Sequence, residues 1–308
     1  NYMKEFIIKA AKHQFIEGDV LHWWHESNGL GVRTKFSDDL LWLVYLVIEY
    51  IEFTGDYSIL DISVPYVQGE KLDKDKLEEC KIYNVYGREE TIFEHCIRAI
   101  EKGINLGANN LPKIGTGDWN DGFSNIGSQG IGESIWLGFF IYDILKRFEK
   151  LLEKKDKIEL IERYTIIREI IRKALNTFAW DGNWYIRATT DNGKVIGSNK
   201  NIECKIDSIS QSWSVISEAG DNDKKYIAME SVKKYLIDKE EKLIKLLTPA
   251  FNNQEYNPGY ISKYKNGIRE NGGQYTHGVI WTVLALTKLE MREESFELID
   301  MLNPLNHG

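Results

Sequence analysis

Apolar residues recur at helical spacing over most of the chain. Between Met3 and Gln14 they fall at Phe6, Ile7, Ala10 and Ala11, a stripe on one helix face. Ser37 stands where it can cap a helix running through Leu40, Leu41, Leu43, Val44, Tyr45, Val47, Ile48 and Ile51, and Gly55 stands where its C-terminal cap belongs. That segment is apolar on nearly every side, which places it inside something large. The same period predicts helices over Glu89–Gly103, Glu133–Glu153, Lys157–Phe178, Ile209–Ala219, Lys224–Ile237, His277–Leu289 and Glu293–Leu302. Between them, stretches 18–36, 107–132, 180–206 and 248–276 are dense in Gly, Asn, Asp and Trp. Within 180–206, Trp184-Tyr-Ile-Arg187 followed by Asp191-Asn-Gly-Lys194 reads as a β-hairpin with an Asn-Gly turn. Prolines number only five, and no linker or low-complexity run divides the chain. The economical reading is one all-α domain over residues 1–308 with long functional loops.

Composition narrows the function classes. The chain has 308 residues with 39 Lys+Arg against 47 Asp+Glu, a formal net charge of −8, which argues against a broad nucleic-acid or anionic-membrane surface. No window of about 18 apolar residues exists; the best stretch, Leu40–Phe53, is short and broken by Glu49 and Glu52. Cys80, Cys96 and Cys204 show no CxxC pairing, and with His22, His25 and His95 they give no metal spacing, so neither a disulfide framework nor a zinc site is expected. No signal peptide opens the chain, which starts at Asn1 with Met3 already inside an amphipathic stretch and reads as a trimmed piece.

Chemistry concentrates in the loops. Nine tryptophans are many, and Trp23, Trp24, Trp119 and Trp184 stand among charged and amide residues. Aromatic faces beside carboxylates and amides suit sugar rings, although any single Trp more often simply packs. The segment Gly115-Thr-Gly-Asp-Trp-Asn-Asp-Gly122 puts two carboxylates, an aromatic and an amide in four positions flanked by glycines. Glycoside chemistry needs an acid for the departing oxygen beside groups that hold the sugar; an Asx turn or a calcium-type loop is the plainer alternative. In Gly31-Val-Arg-Thr-Lys-Phe-Ser-Asp-Asp39, Arg33 and Asp39 lie at a loop-to-helix junction and can face a cavity, while Asp38 is expected to serve the helix cap. In Arg269-Glu-Asn-Gly-Gly-Gln-Tyr-Thr-His-Gly278, His277 opens an apolar helix and could help bind an anion, or else be a neutral histidine bonded to a backbone group.

At these three loops the chain resembles the inverting β-glycan phosphorylases of glycoside hydrolase family 94. The likeness also runs through Leu21-His-Trp-Trp-His25, Gly132-Glu-Ser-Ile-Trp-Leu-Gly138, Asp207-Ser-Ile-Ser-Gln-Ser-Trp213, Asn257-Pro-Gly-Tyr260 and Leu302-Asn-Pro-Leu-Asn-His307. Each motif is weak alone; in this order they are specific. The wording is most similar to the carboxy-terminal domain of cyclic β-1,2-glucan synthases and to 1,2-β-oligoglucan phosphorylases.

The resemblance implies an (α/α)6 barrel with the site in the loops at one end. It implies Asp121 as general acid, Trp119 and Asp118 at the sugar, Arg33 and Asp39 on the donor glucosyl hydroxyls, Glu270 toward the acceptor and His277 at phosphate. Inorganic phosphate would be co-substrate and nucleophile, with no metal or other cofactor, giving α-glucose 1-phosphate from a β-glucan, β-1,2-linked by preference. Asp121 would need a raised pKa, from partial burial and nearby Asp118. Two rival readings are an inverting hydrolase with Asp118 or Glu270 as base and a non-catalytic glucan-binding fragment. Against the family pattern, an amino-terminal β-sandwich domain and a carboxy-terminal phosphate-site segment are absent, so a truncated barrel is expected. A homodimer, or the missing parts of a longer polypeptide, would be partners. Phosphate chemistry suits the cytoplasm, or the cytoplasmic face of a membrane-bound synthase.

Overall fold

In the computed structural model, residues 2–73, 75–85 and 87–307 are described, the side chain of His307 excepted. The chain divides into two compact units, Asn1–Asn105 and Leu106–Gly308. Each is described by itself.

The first unit packs helices α1 (Tyr2–Ala11), α2 (Asp39–Thr54) and α3 (Ile92–Gly103) against one another. Helix α2 buries Leu40, Leu41, Leu43, Val44, Val47, Ile48, Tyr50 and Ile51, as its near-continuous apolar run requires. It ends at Gly55, whose φ of 70° lets its N–H reach the Ile51 carbonyl. The N-cap position is Asp38 rather than Ser37, and the Asp38 carboxylate accepts from the Trp42 indole N–H at 2.9 Å instead of capping a backbone group.

Strands are the main departure from the all-α expectation. Strands β1 (Leu21–Trp24), β2 (Leu30–Thr34) and β4 (Glu78–Ile82) form an antiparallel sheet in the order β1-β2-β4, with an irregularity between Leu21 and Trp23. Strand β3 (Ser63–Pro65) pairs with β5 (Glu89–Thr91). The pattern hid them: Gly31 to Thr34 are all buried, so β2 has no alternation, and β4 reads Glu-Glu-Cys-Lys-Ile. Pairing of 89–91 also delays α3 to Ile92, where Thr91 Oγ1 caps Glu94 N at 3.3 Å.

The second unit holds α4 (Ile135–Lys154), α5 (Ile158–Thr177), α6 (Ser208–Ile216), α7 (Asn222–Tyr235), α8 (Thr276–Lys288) and α9 (Arg292–Leu302). Helix α4 packs on α5 and α6, α6 on α7 and α8, and α8 on α9. Every residue of α6 is buried, although its sequence alternates serines with apolar residues. Several of its polar groups are satisfied locally: Ser212 Oγ donates to the Ser208 carbonyl, Ser214 Oγ to that of Gln211, and Gln211 Nε2 to the carbonyls of Tyr185 and Asp207. Small side chains there let α4 and α8 approach, and Trp136, Trp213 and Trp281 interlock with ring centroids 5.3 to 6.2 Å apart. The hairpin in 180–206 forms as β6 (Ala188–Thr189) with β7 (Val195–Ile196), only two residues each. Among the described residues, no helix is long and apolar enough to cross a membrane, and no group of three or more His, Cys, Asp or Glu could hold a metal ion.

Candidate functional site

The loop carrying Asp121 is built from its own side chains. Asp118 Oδ1 accepts from the backbone N–H of Asn120 at 3.0 Å, and Asn120 Oδ1 accepts from that of Gly122 at 3.1 Å, two successive Asx turns with Trp119 and Asp121 between them. The turn reading of this motif therefore holds alongside any chemical one. A second segment zips onto the loop: Ile261 N donates to the Gly122 carbonyl, Tyr260 N to Ser124 Oγ, and Asn125 N to the Pro258 carbonyl. That approach requires Gly259, at φ 116°, because a Cβ there would lie 2.3 Å from Ser124 Oγ.

Asp118, which the resemblance implies at the sugar, lies in the core. It is fully buried and its two oxygens accept four hydrogen bonds, from Arg187 Nη1 and Nη2 at 2.7 Å each, Ser134 Oγ at 2.6 Å and Asn120 N. That is the full capacity of a carboxylate. Arg187, equally buried, also faces Asp207 with Nε 3.4 Å from Oδ2. Burial pushes the Asp207 carboxyl up to about 6 against the pull of Arg187. Ser134 caps α4 through Leu137 N, and Asp207 caps α6 through Ile209 N. One buried cation thus ties the Asp118–Asp121 loop to the starts of two core helices. The sequence motifs contained Asp118, Ser134 and Asp207 but not Arg187. The available signal was a charged residue inside the apolar run Tyr185-Ile-Arg-Ala188.

The structure does bring together Trp119, Asp121, Glu270 and His277. Trp119 Nε1 donates to His277 Nδ1 at 3.0 Å, and the Trp119 ring meets Tyr275, His277 and Trp281 at centroid distances of 5.1, 5.5 and 5.3 Å. His277 thus finds an indole partner. Accepting at Nδ1 leaves the imidazole proton on Nε2. Desolvation of the ring lowers the His277 pKa below the ordinary histidine value, so it is neutral at pH 7.

Asp121 is half-buried, and Tyr260 and Tyr275 both lie within the field of Asp121 and Glu270. Burial first, then these carboxylates, raises both phenol pKa values, so both stay protonated hydrogen-bond donors. Glu270 is nearly buried; Arg269 Nε lies 3.4 Å from its Oε2, an oxygen with no hydrogen-bond partner. Its loop is pinned by Asn271, whose amide reaches the carbonyls of Phe251 and Tyr264 and accepts from Phe251 N. Tyr260, Tyr275 and Trp281 were not singled out from sequence, because isolated aromatics in loops and helices carry no pattern.

Arg33 and Asp39 belong to the first unit. Arg33 is buried over the Phe15 ring and gives Nε and Nη2 to Asp19, Nη2 to Glu17 and Nη1 to the Glu70 carbonyl. Four of its five N–H groups are thereby engaged within the protein. Asp39, at the first position of α2, accepts from His22 Nδ1 at 2.9 Å and remains partly exposed. Of the loop tryptophans, Trp184 is core: buried, with Nε1 donating to the Gly197 and Lys205 carbonyls. Trp24 stacks on His13 at 4.1 Å, and Trp23 is exposed.

The family of carbohydrate-active proteins to which this arrangement belongs follows from comparison. The glycosyl hydrolase 94 superfamily catalytic domain matches residues 1–308, and the chain belongs to that family. It is 41% identical over 306 residues to the cyclic beta-(1,2)-glucan synthase NdvB of Rhizobium meliloti (strain 1021), covering 98% of this chain and 11% of that protein. It is 28% identical to the N,N'-diacetylchitobiose phosphorylase of Vibrio furnissii over 90% of this chain and 32% of the relative. With the 1,2-beta-oligoglucan phosphorylase of Listeria innocua serovar 6a it shares 23% identity over 99% of this chain and 28% of the relative. The chain therefore spans a third or less of these relatives. A solved rhamnosidase from Klebsiella oxytoca with rhamnose bound shares the fold, with a TM-score of 0.56 at 14% identity over 96% of this chain and 44% of that one.

Proposed function

We propose that this chain carries the reaction centre of an inverting β-glucan phosphorylase, acting on β-1,2-linked glucan within an (α/α)6 framework. The observation that carries the reading is the grouping of Asp121, Trp119 and His277 at one place in the second unit, in a chain of this family. Phosphate attacks the anomeric carbon from the α side, forming the new C–O bond as the β-linked oxygen leaves. Asp121 gives that oxygen its proton. Phosphate is already an anion, so no second carboxylate is needed to make the nucleophile. His277 Nε2–H and the first-turn N–H groups of α8 face the phosphate, as a helix N-terminus favours. Trp119 fixes the imidazole and offers an aromatic wall to the sugar. Glu270, Tyr260 and Tyr275 supply hydroxyl partners on the acceptor side. The likeness to an oligoglucan phosphorylase and a β-(1,2)-glucan synthase supports the linkage, and phosphate as co-substrate supports action in the cytoplasm.

The test is an assay for α-glucose 1-phosphate with short β-1,2-, β-1,3- and β-1,4-glucans, with and without inorganic phosphate. Phosphate-dependent product from the β-1,2 series is the expected result. Glucose released without phosphate would instead establish a hydrolase. For that reading the unbonded Oε2 of Glu270 is the available base, since Asp118 has no free lone pair. Bound glucan with no product would leave only a binding function.

His277→Ala is expected to raise the KM for phosphate about 10- to 100-fold, the worth of a charge-assisted hydrogen bond, with glucan affinity little changed. Steady-state kinetics at varied phosphate read this directly. Trp119→Phe keeps an aromatic face but frees the imidazole, and should raise the KM for phosphate by a smaller factor, about tenfold or less.

A further inference from the structure

The zipped pair of segments that holds Asp121 continues into a second cavity. Asp121 and Tyr260 stand at one end of segments 121–125 and 257–261, and at the other end Asn125 Nδ2 donates to Asn257 Oδ1 at 3.1 Å. That amide pair forms part of the wall of a cleft of about 390 Å³, completed by Gln129, Asp191, Lys194 and Glu255. The volume is within the range of small-ligand sites. Three residues separate Asn125 from Asp121, so the two places are at most about 14 Å apart along the chain.

The cleft is stiff, and its polar groups are open. Asp191 is held by the backbone N–H groups of Gln129, Ile131 and Gly132, and Glu255 by that of Ile202. Each carboxylate thereby keeps its place, and among the described residues one oxygen, Asp191 Oδ2, accepts only a single bond. The side-chain amide of Gln129 and the Nδ2 of Asn257 make no hydrogen bond, and Lys194 makes no ion pair, among the described residues. Lys194 lies instead over the Tyr256 ring, 5.8 Å from its centroid.

Two carboxylates against one ammonium disfavour an anion. A mixture of open donors and acceptors, rigidly placed and nearly neutral, suits a polyhydroxylated neutral ligand. Resting on the glucan reading above, we propose that this cleft is an outlying subsite that takes a glucosyl unit of the glucan chain remote from the bond being broken. It would make the protein prefer oligosaccharides over disaccharides.

Calorimetric titration without phosphate tests this, using β-1,2-glucan of two units and of six, on the unaltered protein and on Gln129→Ala/Lys194→Ala. Neither side chain supports the backbone, and a second variant, Asn257→Ala, is compared after its thermal melt is checked. Tighter binding of the longer glucan is expected, with about a tenfold loss for it in the double variant and no change for the disaccharide. Equal affinity for the two lengths, equal losses on both, or no loss on either would overturn the subsite. Because turnover is not read, a length-dependent loss in a protein that forms no α-glucose 1-phosphate would reject phosphorolysis and keep the subsite. An effect confined to β-1,3- or β-1,4-linked hexamers would keep the cleft as a glucan site and reject the β-1,2 assignment.

Discussion

Asp121→Asn is expected to lower phosphorolysis of natural β-glucans by about 10²- to 10⁴-fold while leaving the fold intact. The change removes one acidic proton and almost no volume. The loop itself rests on Asp118 and Asn120, which the substitution leaves alone. A sugar alkoxide is a poor leaving group, so the loss should fall on kcat rather than on glucan affinity. An aryl β-glucoside with an acidic phenol needs little protonation and should lose far less, and that contrast separates a missing acid from a misfolded loop. Equal rates for mutant and parent on natural glucan would reject Asp121 as the acid.

The second large effect concerns stability. Arg187→Met should cost about 3–5 kcal/mol, measured by urea unfolding at pH 7, because two buried carboxylates are left facing each other without a cation. The pH dependence has a definite sign. Asp207 titrates at about 6, above the ordinary carboxylate value, so between roughly pH 4 and 6 the native state binds more protons than the unfolded one. Its contribution is therefore most favourable below that window and is lost as pH rises through 6. Without Arg187 the Asp207 carboxyl shifts further up, so the variant's deficit should shrink on moving from pH 7 to pH 5. Asp207→Asn added to Arg187→Met should recover part of the loss, and Asp207→Asn alone should cost little, since Arg187 and Asp118 still neutralise each other. A deficit that grows toward acid pH would refute this account.

Helices were legible in the sequence because each buries a face, and a buried face imposes its period on the residues. The run Leu40 to Ile51 and the amphipathic stretch around Phe93, Cys96 and Ile100 are examples. The Asp-Trp-Asn-Asp loop was legible as well, since an Asx turn is made by residues two apart and needs nothing distant. The small sheet was not, because β2 is buried on both faces and its partner β4 is polar.

Sequence by itself determined the family, the helical elements and the motif residues Trp119, Asp121, Glu270 and His277, all of which follow from local spacing and ordered motifs. Tertiary structure decided that Asp118, of the two neighbouring aspartates, is locked into a buried ion pair. Asp118 and Arg187 are 69 residues apart, and only folding brings their charges to 2.7 Å in a fully buried place. The same holds for Trp119 and His277, 158 residues apart, whose single hydrogen bond chooses the imidazole tautomer. Long-range pairing of this kind leaves no periodic trace along the chain, because each partner is fixed by packing and desolvation rather than by its neighbours in sequence.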